Sequence, residues 1–282
     1  MKICWLVLLL LCLSGAAHAD RDIVYAARYY APPGSHRTSH SHLYRINPDG
    51  TGKTQLTFGI EEDSPYWSAD GKEITFIAYR VASPALLCRI DADGRNRRVI
   101  RTLGEDETLP GPVTPGYRLE NIDPVSPDDN EAKHFLVNVR TGQRLLLTVP
   151  DHDDTDDALL PMPGGSLVYG ANNHNSTVGT DYAFYRLNPK TLALQSITTG
   201  QFLSWSRNGT RFCAARGRDT VPYDRRRDPP PAQPGETPED KIAREHRLVW
   251  AAPLLVRAAG GGPMRQITPR LSYVTGADWR RK

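Results

Sequence analysis

Histidine and carboxylate side chains are the groups of this chain best suited to chemistry, and they gather in segments rich in turn residues. His40-Ser41-His42 alternates, so an extended backbone sends both imidazoles to one side, from where two neutral rings and a carboxylate can bind a divalent cation. His36, His134, His152, His174 and His246 also fall in or at the edges of predicted loops, and His174 joins His40 and His42 as a weak metal candidate. Three acidic runs recur as predicted inter-blade loops: Glu61-Glu62-Asp63, Glu105-Asp106-Glu107 and Asp151-His152-Asp153-Asp154-Thr155-Asp156-Asp157. Brought to one face, they make an acidic crescent suited to a basic partner, loosely held cations or a polar ligand. Opposite in sign, Arg216-Gly217-Arg218 and Arg225-Arg226-Arg227 lead into Asp228-Pro229-Pro230-Pro231, and 216–246 reads as a long polyproline-like insertion. A plainer reading stands beside these: polar residues belong in solvated loops, and the histidines lack tight ligand spacing. No Gly-x-Ser-x-Gly elbow, His-Glu-x-x-His pair or phosphate-cradling glycine loop occurs.

Compartment and partners are bounded by the chain's start and its charge. Lys2, the apolar run Ile3 to Leu13 and Ala17-His18-Ala19 form a signal peptide over 1–19, cleaved near Ala19, which predicts a periplasmic or secreted product. The run is shorter than the roughly 20 residues a membrane helix needs, and nothing comparable follows, so no membrane span is expected. Cys4 and Cys12 leave with the leader; Cys88 and Cys213 remain, too few for a disulfide framework. A net charge of +3 gives no global basic field for nucleic acid. Nothing in the residues sets an oligomeric state.

The elements that must position these groups come from a repeat. Its clearest copy is Ser64-Pro65-Tyr66-Trp67-Ser68-Ala69-Asp70-Gly71-Lys72-Glu73-Ile74-Thr75-Phe76-Ile77, a short strand, an Asp-Gly turn and an alternating strand. Leu86 to Ile90, a turn at Asp93-Gly94 and Arg98 to Arg101 add a third and a fourth strand, and four antiparallel strands make a propeller blade. Turn glycines at 71, 116, 165 and 209 keep blade-like spacing. Third-to-fourth strand turns recur at Asn47 to Gly50, Asp91 to Gly94, Arg140 to Gly142, Asn188 to Lys190 and Gly260 to Gly262. The expectation is an all-β, single propeller of about five four-stranded blades, six being the alternative count, over residues 20–282. A β-sandwich uses similar turns. The chain ends argue against it: Gly276-Ala277-Asp278-Trp279 is a first strand, and its missing continuation, Ile23 to Ala27, lies at the N-terminus, so the C-terminal strand closes the ring.

Gln55-Leu56-Thr57 followed by Ser64 to Phe76 resembles the WD40-like repeat of TolB-type propellers, and Gln266-Ile267-Thr268 with Ala277-Asp278-Trp279 is similar. The resemblance implies a periplasmic propeller that binds other proteins. The first strand begins soon after the leader, so the domain that precedes the propeller in TolB is expected to be missing. The first expectation is therefore a non-enzymatic envelope scaffold without a cofactor, contacting a protein partner through Glu61, Glu62, Asp63, Glu105, Asp106, Glu107, Asp151, Asp153 and Asp154. The alternative, drawn from lyases with similar repeats, is a metal-dependent enzyme on a saccharide polymer, using a divalent cation on the histidine-bearing face.

Overall fold

The computed structural model describes residues 23–29, 40–59, 61–80, 83–104, 116–122, 133–147, 158–162, 166–173, 181–200, 203–215, 219–222 and 248–280. The leader, the acidic runs at 105–107 and 151–157, His174 and the arginine- and proline-rich residues 223–247 lie outside them. Regular structure among the described residues is entirely β-strand. No described helix is long and apolar enough to cross a membrane.

Both chain ends meet in the first blade. β1 (Ile23–Tyr29) pairs on one side with β2 (His42–Ile46) and on the other with the last strand, β21 (Ser272–Trp279), while β3 (Thr54–Gln55) forms the outer edge, giving the order β21-β1-β2-β3. The second blade is β4 (Glu61–Trp67), β5 (Glu73–Arg80), β6 (Ser83–Asp91) and β7 (Arg98–Thr102), in that order. In the third, β8 (Tyr117–Ile122), β9 (Lys133–Asn138) and β10 (Arg144–Leu147) make a three-stranded sheet among the described residues. The fourth is β11 (Ala158–Pro161), β12 (Leu167–Asn173), β13 (Asp181–Leu187) and β14 (Leu194–Gly200). The fifth contains β15 (Leu203–Trp205), β16 (Arg211–Ala215), β19 (Leu254–Ala258) and β20 (Arg265–Gln266). Between its middle strands, β17 (Asp219–Pro222) and β18 (Leu248–Ala251) form a two-stranded ribbon, so the predicted insertion has a paired base.

Strand alternation explains how the blades stack, since each sheet must bury both faces. On β1, Ile23, Tyr25 and Ala27 join Cys213, Ala215, Leu254 and Val256 of blade five, whereas Val24 and Ala26 join Trp67, Ile74, Phe76 and Cys88 of blade two. Further cores lie between blades three and four, around Leu136 and Tyr169, and between blades four and five, around Phe184 and Trp205. Blade one is thus wedged between blades two and five. Cys88 and Cys213 are buried free thiols in blades that are not neighbours, and burial pushes the Cys213 thiol well up.

The repeated motifs have separate physical reasons. Thr57 Oγ1 accepts the Leu43 N–H and Thr268 Oγ1 accepts the Leu254 N–H, both at 2.9 Å, while Gln55 and Gln266 close onto the carbonyls of Thr57 and Thr268. The Gln-x-Thr triplets therefore fasten outer to third strands, and Leu56 and Ile267 between them fill cores. Turn glycines are needed where φ is positive: 66° at both Gly71 and Gly209, 82° at Gly116. In these turns Asp70 Oδ1 accepts from Ser68 Oγ and Lys72 N–H, and Asn208 Oδ1 likewise accepts from Ser206 Oγ, Thr210 N–H and Thr210 Oγ1. Since this oxygen only accepts, a carboxylate serves it better. Asn208→Asp is expected to raise the melting temperature by about 1–3 °C, measured by thermal unfolding at neutral pH.

Candidate functional site

The acidic run Glu61 to Asp63 sits where blades one and two meet. Ser41, at the end of the β1–β2 connection, accepts the Glu62 N–H on its carbonyl at 3.0 Å. One placement needs correction: Glu61, Glu62 and Asp63 are not an inter-blade loop but the first three residues of β4. The pairs Glu61–Tyr79, Glu62–Ala78 and Asp63–Ile77 extend the ladder through the acidic run, because strand propensity yields here to pairing with β5.

The three acids have different environments. Glu61 is paired with Arg28 across the blade boundary, and its side chain keeps 41 % of its surface exposed. Glu62 is fully buried; its Oε1 accepts from Arg97 Nη1 at 2.7 Å, and its Oε2 lies 3.5 Å from His42 Nδ1. Gly59 makes room for this pair, since a Cβ there would stand 2.5 Å from Glu62 Oε1. Glu62 is thus withdrawn from the partner-facing set in which the sequence places it, because Arg97 and the Gly59 notch hold it inside the blade junction.

Asp63 lies at a junction of two bulged inner strands. β4 bulges between Asp63 and Tyr66, with Ser64 at φ 53°, and β21 shifts register where Thr275 stands between the pairs of Ala26 and Ala27. Thr275 Oγ1 donates to Asp63 Oδ1 at 2.7 Å, locking the bulges together. Burial raises the Asp63 carboxyl above its ordinary 3.8, opposed by the hydrogen bonds from Thr275 and Ser64. A raised carboxyl favours the folded state below the ordinary value, and that contribution is lost as pH rises through the raised one. Asp63→Asn keeps an oxygen for Thr275, so it is expected to stabilise the protein at pH 7 by about 1 kcal/mol and to flatten this acid-side slope in urea unfolding.

His40 and His42 have ring centroids 6.5 Å apart at 69°, and His42 begins β2. His134 sits inside β9, buried. Among the described residues no three His, Cys, Asp or Glu side chains are grouped to hold a metal. Glycines 260 to 262 form the predicted turn, with φ 106° at Gly261 and 99° at Gly262.

Asp278 belongs to the repeat, and its role is one the sequence does not announce by residue type. Its Oδ2 accepts the Trp67 N–H at 2.8 Å and its Oδ1 the Ser204 hydroxyl at 2.9 Å, and Ser204 Oγ in turn accepts the Trp279 N–H. One side chain of blade one therefore ties blades two and five. Its signal was position: Asp278 directly precedes Trp279, where Tyr66 precedes Trp67 and Ser204 precedes Trp205. Arg97 and Arg28 carried no signal beyond being arginines.

Five radially stacked antiparallel sheets, with the first closed by both termini, define an antiparallel β-propeller. In structure the chain is similar to TolB from Acinetobacter baumannii, at 13% identity and TM-score 0.38, covering 93% of this chain and 56% of that one. It is also similar to oligogalacturonate lyase from Vibrio parahaemolyticus, at 14% identity and TM-score 0.33 over 88% of this chain and 79% of that one. An oligogalacturonate lyase in complex with manganese is similar at 13% identity and TM-score 0.33, over 87% and 78%. The chain thus spans little more than half the length of the first of these. No family model and no curated protein matches the sequence.

Proposed function

We propose that the chain is an exported scaffold of the periplasm or cell exterior that binds another envelope protein, with no cofactor of its own. The observation supporting this is that the acids described on this face are committed to structural contacts: Glu61 to Arg28 and Asp63 to Thr275 between blades one and two, and Glu62 to Arg97 within blade two. A rigid rim of this kind presents loops to a macromolecule and leaves few groups free for proton transfer. The contact surface comprises Glu61 with Glu105, Asp106, Glu107, Asp151, Asp153 and Asp154, and its partner is basic at the contact. Affinity capture from envelope extract tests it. A partner should be retained at low salt, weakened at moderate salt, and lost with the combined Glu105→Gln, Asp106→Asn and Glu107→Gln variant. Recovery of nothing, or of the same partner by that variant, overturns the reading.

The second reading, a divalent-metal enzyme acting on a saccharide polymer, draws on the proximity of the His40 and His42 rings, with His174 as a third ligand. It requires that purified protein retain a transition metal, or gain several degrees of melting temperature on adding Mn²⁺ or Zn²⁺. Elemental analysis and thermal unfolding after chelation decide this.

A further inference from the structure

The outer edge of blade two differs from the other outer edges. β7 has five residues, all exposed, whereas β3 and β20 have two each, and β10 and β14 both end in buried residues. β7 ends its sheet, and no strand lies beyond it among the described residues. Ile100 is the extra residue of a bulge between the Leu87–Arg101 and Cys88–Val99 pairs. Val99 is 54% exposed, Ile100 43% and Phe58 80%. Gly59, next to Phe58, lies against the Arg97 guanidinium, which brings Phe58 to the entry of β7. Residues 95–104 hold four arginines and no carboxylate. Glu62 takes Arg97 and Glu73 takes Arg98, while Arg95 stands 83% exposed, 3.7 Å from Asp93.

We infer that β7 is a docking edge for an extended, acidic and apolar segment of a partner polypeptide, which adds to blade two as a fifth strand. Main-chain hydrogen bonds supply affinity in this mode, and alternate side chains supply selection. The exposed Arg95 and Arg101 select carboxylates, and Phe58, Val99 and Ile100 select apolar residues between them. An edge that is merely protected also carries charges and a bulge. Protection, however, calls for no exposed valine, isoleucine and phenylalanine beside them. A second copy of this chain is a poor occupant, because β7 against β7 brings two arginine-bearing edges together. The proposed edge uses Phe58, Val99, Ile100 and Arg101 and none of the acidic contact residues, so the Ile100→Asp variant and the Glu105 to Glu107 variant test the two readings separately.

Fluorescence anisotropy with a short labelled peptide alternating glutamate and valine tests it, with a lysine-for-glutamate peptide as control. Saturable binding in the range of tens to hundreds of micromolar is expected at low salt, falling severalfold as salt is raised. The lysine peptide should not bind. Ile100→Asp and Arg101→Glu should each weaken binding about tenfold while thermal unfolding shows both variants folded. Amide exchange should slow at residues 98–102 when the peptide is added. Absence of saturable binding, equal binding by Ile100→Asp, or protection elsewhere overturns the inference. So does Ile100-dependent sedimentation with phosphatidylglycerol vesicles, or Ile100-dependent self-association, in place of peptide binding.

Discussion

Asp278→Ala is expected to lower stability by about 3 kcal/mol in urea unfolding, a large loss for a half-buried residue at the end of a strand. The reason is that one carboxylate serves three blades. Truncation leaves the Trp67 N–H without its acceptor and deprives the Ser204 hydroxyl of the oxygen to which it donates. Each such bond to a charged acceptor is worth about 1.5–3 kcal/mol, and neighbours in one network do not simply add. Asp278→Asn should cost less, about 1–2 kcal/mol, since it keeps one oxygen but turns an N–H₂ toward one of the two donors. The location adds a second expectation. β21 closes the ring by pairing with β1, so a weakened clip should let β21 open before the other blades. Amide exchange at Val274 to Trp279 should then accelerate more than exchange in β12 or β13. Uniform acceleration would place the clip's effect in global unfolding and argue against a local role at the seam.

The same junction carries other interactions that act on the Trp67 side chain. Two guanidinium groups lie over its indole, Arg45 at 5.3 Å and Arg280 at 5.2 Å from the ring centroid. Contacts of this kind contribute about 0.5–2 kcal/mol each, depending on how far they are desolvated. The backbone clip of Asp278 and the stacked arginines thus act on one residue, and that residue belongs to the sharpest copy of the repeat.

Sequence revealed the fold where a residue type is forced by local geometry. Gly71 and Gly209 have positive φ in first-to-second strand turns, and Gly116 has it directly before β8, so their spacing marks turns regardless of what surrounds them. Leu192 shows the opposite: it stands at φ 59° in the turn where Gly142 stands in the third blade, and no glycine advertised it. The complementary chain ends were legible because β21 supplies the strand that β1 to β3 lack. The site was harder to read for a physical reason. A charged run looks like a solvated loop unless its partners are known, and those of Glu61 to Asp63 are Arg28, Arg97 and Thr275, distant in sequence and of ordinary type. Charge patterning singles the run out. It could not tell that Glu62 points inward, because burial there depends on Gly59 and on an arginine 35 residues along the chain.

That inward carboxylate makes the second large prediction, an asymmetry between its two partners. Arg97→Ala should destabilise by about 3–5 kcal/mol, because it leaves a fully buried charge with only the His42 ring, 3.5 Å away, as compensation. Glu62→Gln should cost less, about 1–2 kcal/mol: the amide oxygen can still accept from Arg97, whose side chain is 40% exposed and can share its charge with water. The double variant then gives the decisive comparison. If the main penalty of Arg97→Ala is the stranded charge, the double variant should be about 2 kcal/mol more stable than the sum of the two single losses, which is the coupling in the cycle. Strict additivity would mean that Arg97 acts through packing on Phe76, whose ring its guanidinium faces at 5.3 Å, and not through the carboxylate. Gly59→Ala offers an independent check from the other side of the pair. Its Cβ must displace Glu62 Oε1, so in the wild-type background it should be poorly tolerated, and far less so once Glu62 is shortened to alanine.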